Sequence, residues 1–347
     1  MSNQAPPAIT TPDEVIRVEG LKVEFSSRRG LRAKRTLRAL DGVTFALQRG
    51  ETFGLVGESG CGKSTLVRTI FGINTPRAGH VRILGLDVQA MRPRERRKLQ
   101  NRVQLVFQDP YSSLDPRMTA HDIVAEPLQI AGRYSRARVV ELVGQVGLTE
   151  DLLTRRPAAF SGGQRQRLGI ARALALSPEV LVLDEPVSAL DASVQAQVIN
   201  LLQDLQQELG LSYLFIAHDL SVVRHLSDRV AVMHLGRLVE IGETEELFTN
   251  PRHPYTRALI ASAPVPDPYV RVRDASALLR GEMPDAAKPP SGCTFRTRCP
   301  IAQPDCAQHE PALEPAGNHG HAVACFHPDA SAQSPLAVES NPERTPK

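Results

Sequence analysis

Residues 51–72 read ETFGLVGESGCGKSTLVRTIFG. The apolar run from Phe53 to Val56 has the length and character of a buried strand. Gly57, Glu58, Ser59, Gly60, Cys61, Gly62, Lys63, Ser64 and Thr65 then fit G-x-x-x-x-G-K-[ST], and a helix-compatible run follows. Glycines let successive backbone N–H groups turn toward one anion, and the helix N-terminus adds its dipole. Lys63 brings a cation to the β- and γ-phosphates, and Ser64 offers a hydroxyl to Mg²⁺. The stretch therefore reads as a phosphate loop in an α/β nucleotide-binding domain. Two readings of Cys61 stay open. It is a small residue tolerated at an unconstrained motif position, or a thiol whose pKa is lowered by the helix N-terminus and Lys63.

A second set of residues completes this chemistry. Val180, Leu181, Val182 and Leu183 form a continuous apolar run, as a strand buried on both faces requires, and Asp184 and Glu185 close it. Asp184 is placed to orient Mg²⁺ and Glu185 to act as general base on the attacking water. Ser161, Gly162, Gly163 and Gln164, in FSGGQRQRLGIARAL, open a helix and make a second anion site.

The chain has 347 residues, 41% hydrophobic, enough for a sizeable core and a smaller addition. A formal net charge of +3 does not argue for nucleic acid, and the basic stretches lack interleaved aromatics. No apolar run is long enough to cross a membrane. The opening MSNQAPPAITTPDE lacks the order of a secretory signal, which points to the cytosol, where thiols stay reduced.

Residues 1–14 read as disordered, and 15–25 alternate as a strand does. Residues 26–40 carry six cationic side chains from Arg28 to Arg38 and read as a solvated hairpin loop, with an interaction surface as the alternative. Residues 92–102 look like a basic exposed helix, and several helical stretches fall within 119–176. SVQAQVINLLQDLQQELG predicts an amphipathic helix with Val194, Val198, Leu201, Leu202, Leu205 and Leu209 on one face and Gly210 at its end. LSYLFIAHD is a further strand, and DRVAVMHLGRLVEIGE a hairpin. From about 251 the proline content rises and a separate C-terminal extension begins; residues after about 329 read as a disordered tail.

The Ser161–Gln164 segment matches the signature motif of the ABC ATPase superfamily, and the chain resembles that family over roughly residues 15–329. The resemblance implies a P-loop ABC nucleotide-binding domain over 15–250, with a RecA-like parallel sheet core, an antiparallel β subdomain and a helical subdomain at about 109–176. Residues 251–329 are then the small cysteine-containing extension. It also implies roles by position. Gln108 matches the glutamine that senses Mg²⁺ and the γ-phosphate, Asp191 the loop that crosses a dimer interface, and His218 the histidine that contacts the γ-phosphate. Phe25 stands where an aromatic stacks on adenine. Phe160 replaces a common leucine before the signature.

VFQDPYSSLDPRMT, DEPVSALDASVQAQVINLL and NPRHPYTRALIASAP are similar to ATP-binding subunits of oligopeptide/dipeptide importers, in particular the F-type subunit. The implied partners are a paralogous D-type ATPase in a heterodimer, two membrane-spanning permeases and an extracytoplasmic peptide-binding protein, with no nucleic acid. The implied place is the cytoplasmic face of the inner membrane. Nickel, glutathione or an opine-like solute are alternative cargoes; a soluble ABC ATPase acting on nucleic acid is the alternative of a different class.

Four of the five cysteines lie near the C-terminus, as Cys293-x5-Cys299-x6-Cys306-x18-Cys325. The C-x2-C pairs of zinc ribbons are absent and cytosolic disulfides are disfavoured. Four thiolates suit an iron–sulfur cluster, and some members of the resembled family hold a [4Fe-4S] cluster in this extension. Zinc and unmetallated thiols stay open. His309, His319, His321 and His327 read as surface residues rather than ligands.

Overall fold

The computed structural model describes residues 13–27, 35–109, 113–262, 283–317 and 320–328. Of the segments expected to be disordered, residues 1–12 and the tail after 329 lie outside the described residues, as do residues 28–34 of the cationic stretch and His319; Glu14, expected in the disordered start, already belongs to a strand. The elements run in the order β1 (Glu14–Ser27), β2 (Arg35–Gln48), β3 (Thr52–Val56), α1 (Lys63–Ile70), β4 (Ala78–Ile83), β5 (Leu86–Asp87), α2 (Pro93–Gln100) and β6 (Val103–Val106). Helices α3 (Ala120–Ile130), α4 (Arg136–Gln145) and α5 (Gly162–Leu174) follow, then β7 (Val180–Asp184), α6 (Ala192–Leu209), β8 (Ser212–Ala217) and α7 (Leu220–Leu226). The chain continues through β9 (Arg229–His234), β10 (Arg237–Glu243), α8 (Thr244–Thr249), α9 (Pro254–Ser262), α10 (Asp305–Gln308), β11 (Glu314–Pro315) and β12 (Ala322–Val323). Residues 35–40, assigned above to a loop, belong to β2, so the connection after β1 is shorter than expected.

The chain divides into two compact units. The first comprises residues 1–21, 42–52 and 67–214. There β6 and β7 run parallel, with Val103 beside Val180 and Val106 beside Leu183. β7 is buried from Val180 to Leu183 and partly exposed at Asp184, as a strand presenting an acid at its C-terminal end must be. α3, α4 and α5 pack on one another as the expected helical region. α6 buries Val198, Ile199, Leu202 and Leu205, and Gly210 ends it at φ 63°, a left-handed conformation that costs glycine little. Leu209, expected on the buried face, is exposed: it lies in the last turn among exposed Gln207, Glu208 and Gly210. A separate four-stranded sheet has the order β2-β1-β4-β5.

The second unit comprises residues 22–41, 53–66 and 215–347. β3 is parallel to β9, with Gly54 beside Val230 and Val56 beside Val232. β9 and β10 form the expected hairpin, turning at Leu235 (φ 43°) and Gly236 (φ 78°). Two adjacent positive φ angles give the turn the twist that a hairpin needs. β12 adds to β10 in antiparallel register, Glu240 with Val323 and Ile241 with Ala322, and β11 adds to β12. The extension that begins near 251 thus contributes strands to the hairpin, and it lies in the same compact unit as β9 and β10.

A buried carboxylate explains why. Glu240 is fully buried, yet its oxygens are satisfied: Oε1 accepts from the Arg252 amide at 2.7 Å and Oε2 from the His253 amide at 2.9 Å. His321 Nε2 lies 2.7 Å from Oε1. The surface placement expected for His321 is therefore overturned. The histidine is enclosed because β12 carries it directly onto the Glu240 carboxylate. One acid on β10 fixes both ends of the extension, since a buried carboxylate left without partners is costly. Glu240→Ala is expected to destabilise the chain by about 3–5 kcal/mol, the range for breaking a buried pair. Denaturant titration checks it, and a loss below about 1 kcal/mol would show that the network does not hold the extension.

Candidate nucleotide site and cysteine pocket

The phosphate loop is built in the second unit between β3 and α1. A Cβ at Gly57 would lie 2.3 Å from the Met233 carbonyl oxygen, and one at Gly62 (φ 118°) 2.6 Å from that of Ala39. Only glycine fits either position. The Cys61 carbonyl accepts from the Gly236 amide at 2.7 Å, so the β9–β10 turn holds the loop from below. Lys63 Nζ donates to the carbonyls of Gly57 at 2.6 Å and Glu58 at 3.2 Å. Ser59, Gly60 and Ser64 face solvent. The loop offers a cation, a hydroxyl and a glycine-shaped backbone, and these residues fit a nucleotide phosphate with Mg²⁺ at Ser64.

Cys61 corrects one expectation. Its side chain is 1% exposed and packs against the loop, 2.8 Å from where a Gly57 Cβ would stand. Burial raises its thiol pKa and outweighs the opposing charge of Lys63. The position is neither unconstrained nor activated.

Two further residues grip the loop, and sequence reasoning gave neither of them a role. Arg298 makes a bidentate pair with Glu58, Nη1 to Oε2 at 2.8 Å and Nη2 to Oε1 at 2.9 Å. The Glu58 amide donates to Tyr255 Oη at 3.0 Å. Burial works against the Glu58 carboxylate, but the hydrogen bonds and charge of Arg298 prevail and hold its pKa below the usual range. The sequence signal was an arginine between two cysteines, which nothing tied to a position 240 residues away.

In the first unit Gln108 Nε2 donates to Glu185 Oε2 at 2.7 Å, joining two of the expected site residues. Glu185 has φ 48°, a left-handed backbone that costs a non-glycine residue energy and recurs at functional sites. Asp184 precedes it at the end of β7. Ser161 caps α5: its Oγ accepts from the Gln164 amide at 3.3 Å, and Gln164 Oε1 accepts from the Ser161 amide at 3.0 Å. A Cβ at Gly163 would meet Val194 Cγ1 at 2.4 Å, and one at Gly162 would meet Leu190 at 3.2 Å. The signature therefore packs against the start of α6, which Asp191 caps through the Val194 amide at 3.0 Å. In the second unit, His218 is exposed just after β8 and Phe25 is 42% exposed near the end of β1.

Cys293, Cys299, Cys306 and Cys325 line one small pocket in the second unit, together with apolar groups such as Phe295 and Phe326. All are free thiols. Burial pushes the Cys299 thiol up to about 11 and that of Cys325 to about 12, and raises Cys293 as well. Gly292 (φ 66°) lets the segment close on itself, the Cys293 amide donating to the Cys306 carbonyl at 2.8 Å. His309 is exposed, as expected. His327 departs from expectation: it lines the pocket and pairs with Asp305 at 3.0 Å. Among the described residues, Asp305, Cys306 and His327 bring their ligand atoms within 4.8 Å of one another, a trio containing one of the four cysteines.

Comparison with known proteins settles the family. The model described as ABC transporter matches residues 40–188, and that described as Oligopeptide/dipeptide transporter, C-terminal region matches residues 239–306. Oligopeptide transport ATP-binding protein OppF of Escherichia coli (strain K12) is 51% identical over 324 residues, 91% of this chain and 96% of that protein. The chain belongs to the ABC transporter family, in its oligopeptide/dipeptide ATP-binding branch. Oligopeptide transport ATP-binding protein AppF of Bacillus subtilis (strain 168) is 47% identical over 320 residues, 90% of this chain and 97% of that protein. Among solved structures, the ATP-binding cassette MJ0796, dimeric and bound to ADP and Pi, superposes with a TM-score of 0.59 at 28% identity, covering 66% of this chain and 98% of that one. cbiO1 from Clostridium perfringens, part of the cbiONQ transporter complex, gives 0.61 at 30% identity, covering 68% and 91%. The cassette is an ATPase that uses ATP and Mg²⁺. Membrane permeases are the partners that the family implies, and no described helix is long and apolar enough to cross a membrane itself. The C-terminal match ends at Cys306 and leaves Cys325 beyond it.

Iodoacetamide at pH 8 is expected to leave the Cys61 peptide unlabelled in the folded chain and to label it in urea, read by mass spectrometry. Rapid labelling of Cys61 in the folded chain contradicts the raised pKa.

Proposed function

We propose that this chain is the ATP-hydrolysing F-type subunit of a peptide importer, with residues 15–250 as the cassette and 251–329 as an extension that completes it. It pairs with a paralogous D-type ATPase on two permeases at the cytoplasmic face of the inner membrane, and an extracytoplasmic binding protein delivers the peptide. The observation that carries the catalytic part is the Gln108–Glu185 contact at 2.7 Å, made at a strained Glu185 backbone. A side chain held in costly geometry beside a positioned amide has the marks of a catalytic group.

The roles are those that the local motifs and the family resemblance imply. The loop N–H groups of residues 57–65 and Lys63 bind the phosphates, and Ser64, Asp184 and Gln108 hold Mg²⁺. Glu185 takes the proton of the attacking water, and His218 contacts the γ-phosphate. Phe25, exposed near a strand end, stacks on adenine. Ser161, Gly162, Gly163 and Gln164 close over the nucleotide of the partner ATPase, and Asp191 lies at that interface. A clamp that closes only on ATP is a two-state element, and residues 109–135 beside Gln108 transmit its closure to the permeases. The dimeric state of MJ0796 supports this arrangement.

The four cysteines fit a metal centre: they are free thiols grouped around one apolar pocket, Cys306 buried and the other three partly exposed. A single zinc ion at about 2.3 Å from each sulfur needs a compact ligand set, and the compact trio here holds one cysteine. We therefore favour a [4Fe-4S] cluster as a staple for a segment with little core of its own.

Glu185→Gln is expected to keep ATP binding and lower kcat at least about 100-fold, the lower bound for loss of a general base. Turnover near wild type removes Glu185 from that role. Co-purification with two permeases, and ATPase stimulation by peptide-loaded binding protein, test the transport reading. The centre is tested separately: anaerobic purification should yield a brown chain with iron and sulfide, and a colourless chain with stoichiometric zinc would decide for zinc.

A further inference from the structure

Glu58 is held at both ends by residues beyond position 250. Its carboxylate takes both Arg298 nitrogens, at 2.8 and 2.9 Å, and its amide donates to Tyr255 Oη at 3.0 Å. The Arg298 side chain is 4% exposed, and its guanidinium sits 5.8 Å over the Phe295 ring. Phe295 in turn packs on Tyr255 and His234, with ring centres 5.3 and 5.5 Å away. The grip is rigid, because a bidentate fork fixes orientation as well as distance.

What it grips is the phosphate loop. Lys63 rests on the carbonyls of Gly57 and Glu58, so a shift of Glu58 moves the lysine and the neighbouring N–H groups. Glycine-rich backbone has many alternative conformations, and fixing one beforehand raises affinity. Charge adds a second effect. An unpaired Glu58 carboxylate would stand in the loop that receives a polyanion and repel it.

We infer that Arg298 is a positioning residue for the phosphate loop: with Tyr255 it holds Glu58, presets the loop backbone for nucleotide and cancels a charge that would oppose it. The inference rests on residues 57–65 being the ATP site.

The test uses the purified full chain and a fluorescent N-methylanthraniloyl ATP, with ATPase kinetics on the assembled complex. Arg298→Ala is expected to weaken nucleotide binding about tenfold and to raise KM for ATP in step, with kcat within about threefold. Arg298→Lys, which keeps the charge and loses the fork, falls between. Glu58→Gln, which removes the repelling charge, costs less than Arg298→Ala, and Arg298→Ala/Glu58→Gln binds more tightly than Arg298→Ala alone. Melting temperatures identify any variant that fails to fold, and Glu58→Gln with Arg298→Lys then decides. Binding within twofold of wild type in folded Arg298→Ala, a loss confined to kcat, or effects that simply add in the double variant overturns the inference. Lys63→Ala separates the two readings. If it leaves nucleotide binding intact, the ATP site itself is misplaced; if it abolishes binding while the Arg298 variants bind normally, only the positioning role falls.

Discussion

A side chain at Gly57 would press its Cβ to 2.3 Å from the Met233 carbonyl, and one at Gly62 to 2.6 Å from the Ala39 carbonyl. Those two contacts are the constraint on which the second unit is organised. A loop that turns its N–H groups toward an anion must direct carbonyls elsewhere, and buried carbonyls need donors. Here the Gly236 amide serves Cys61, and Lys63 Nζ serves Gly57 and Glu58. The β9–β10 turn therefore supports the candidate phosphate loop, although none of its residues belongs to a nucleotide motif. The same crowding buries Cys61, and desolvation then wins over the nearby lysine.

The C-terminal extension follows the same logic of satisfied polar groups. Glu240 points into a core and is tolerated because the Arg252 and His253 amides and His321 meet it there. Each partner comes from the extension, so the buried Glu240 carboxylate is met by these groups only when the extension is in place. Arg298 and Tyr255 then reach the phosphate loop from this anchored segment. The cysteine pocket lies in the same segment, where Tyr255 and Phe295 are the largest buried side chains among the described residues. Short segments of this kind need a staple beyond apolar burial.

In the first unit, the contact of Gln108 with Glu185 and the packing of Gly163 on Val194 show how the motifs are positioned. The signature glycine is required by the close approach of α6 as well as by any anion. The left-handed Glu185 backbone is a local cost that surrounding structure must hold in place.

The sequence by itself determined the strand–loop–helix at 52–70, the acid-terminated strand at 180–184, the signature helix and the β9–β10 hairpin. Each is written in local pattern: apolar runs, glycine spacing and capping residues act within a few positions of themselves. It also put four cysteines close enough in the chain to share a pocket. Only the tertiary structure decided what Glu240, His321, Tyr255 and Arg298 do. Their partners lie 81 residues away for His321, 197 for Tyr255 and 240 for Arg298. An isolated arginine or glutamate carries no periodic signal, so its partner is fixed by packing alone. The same reason governs Cys61, whose chemistry depends on how completely its neighbours close over it rather than on the motif in which it stands.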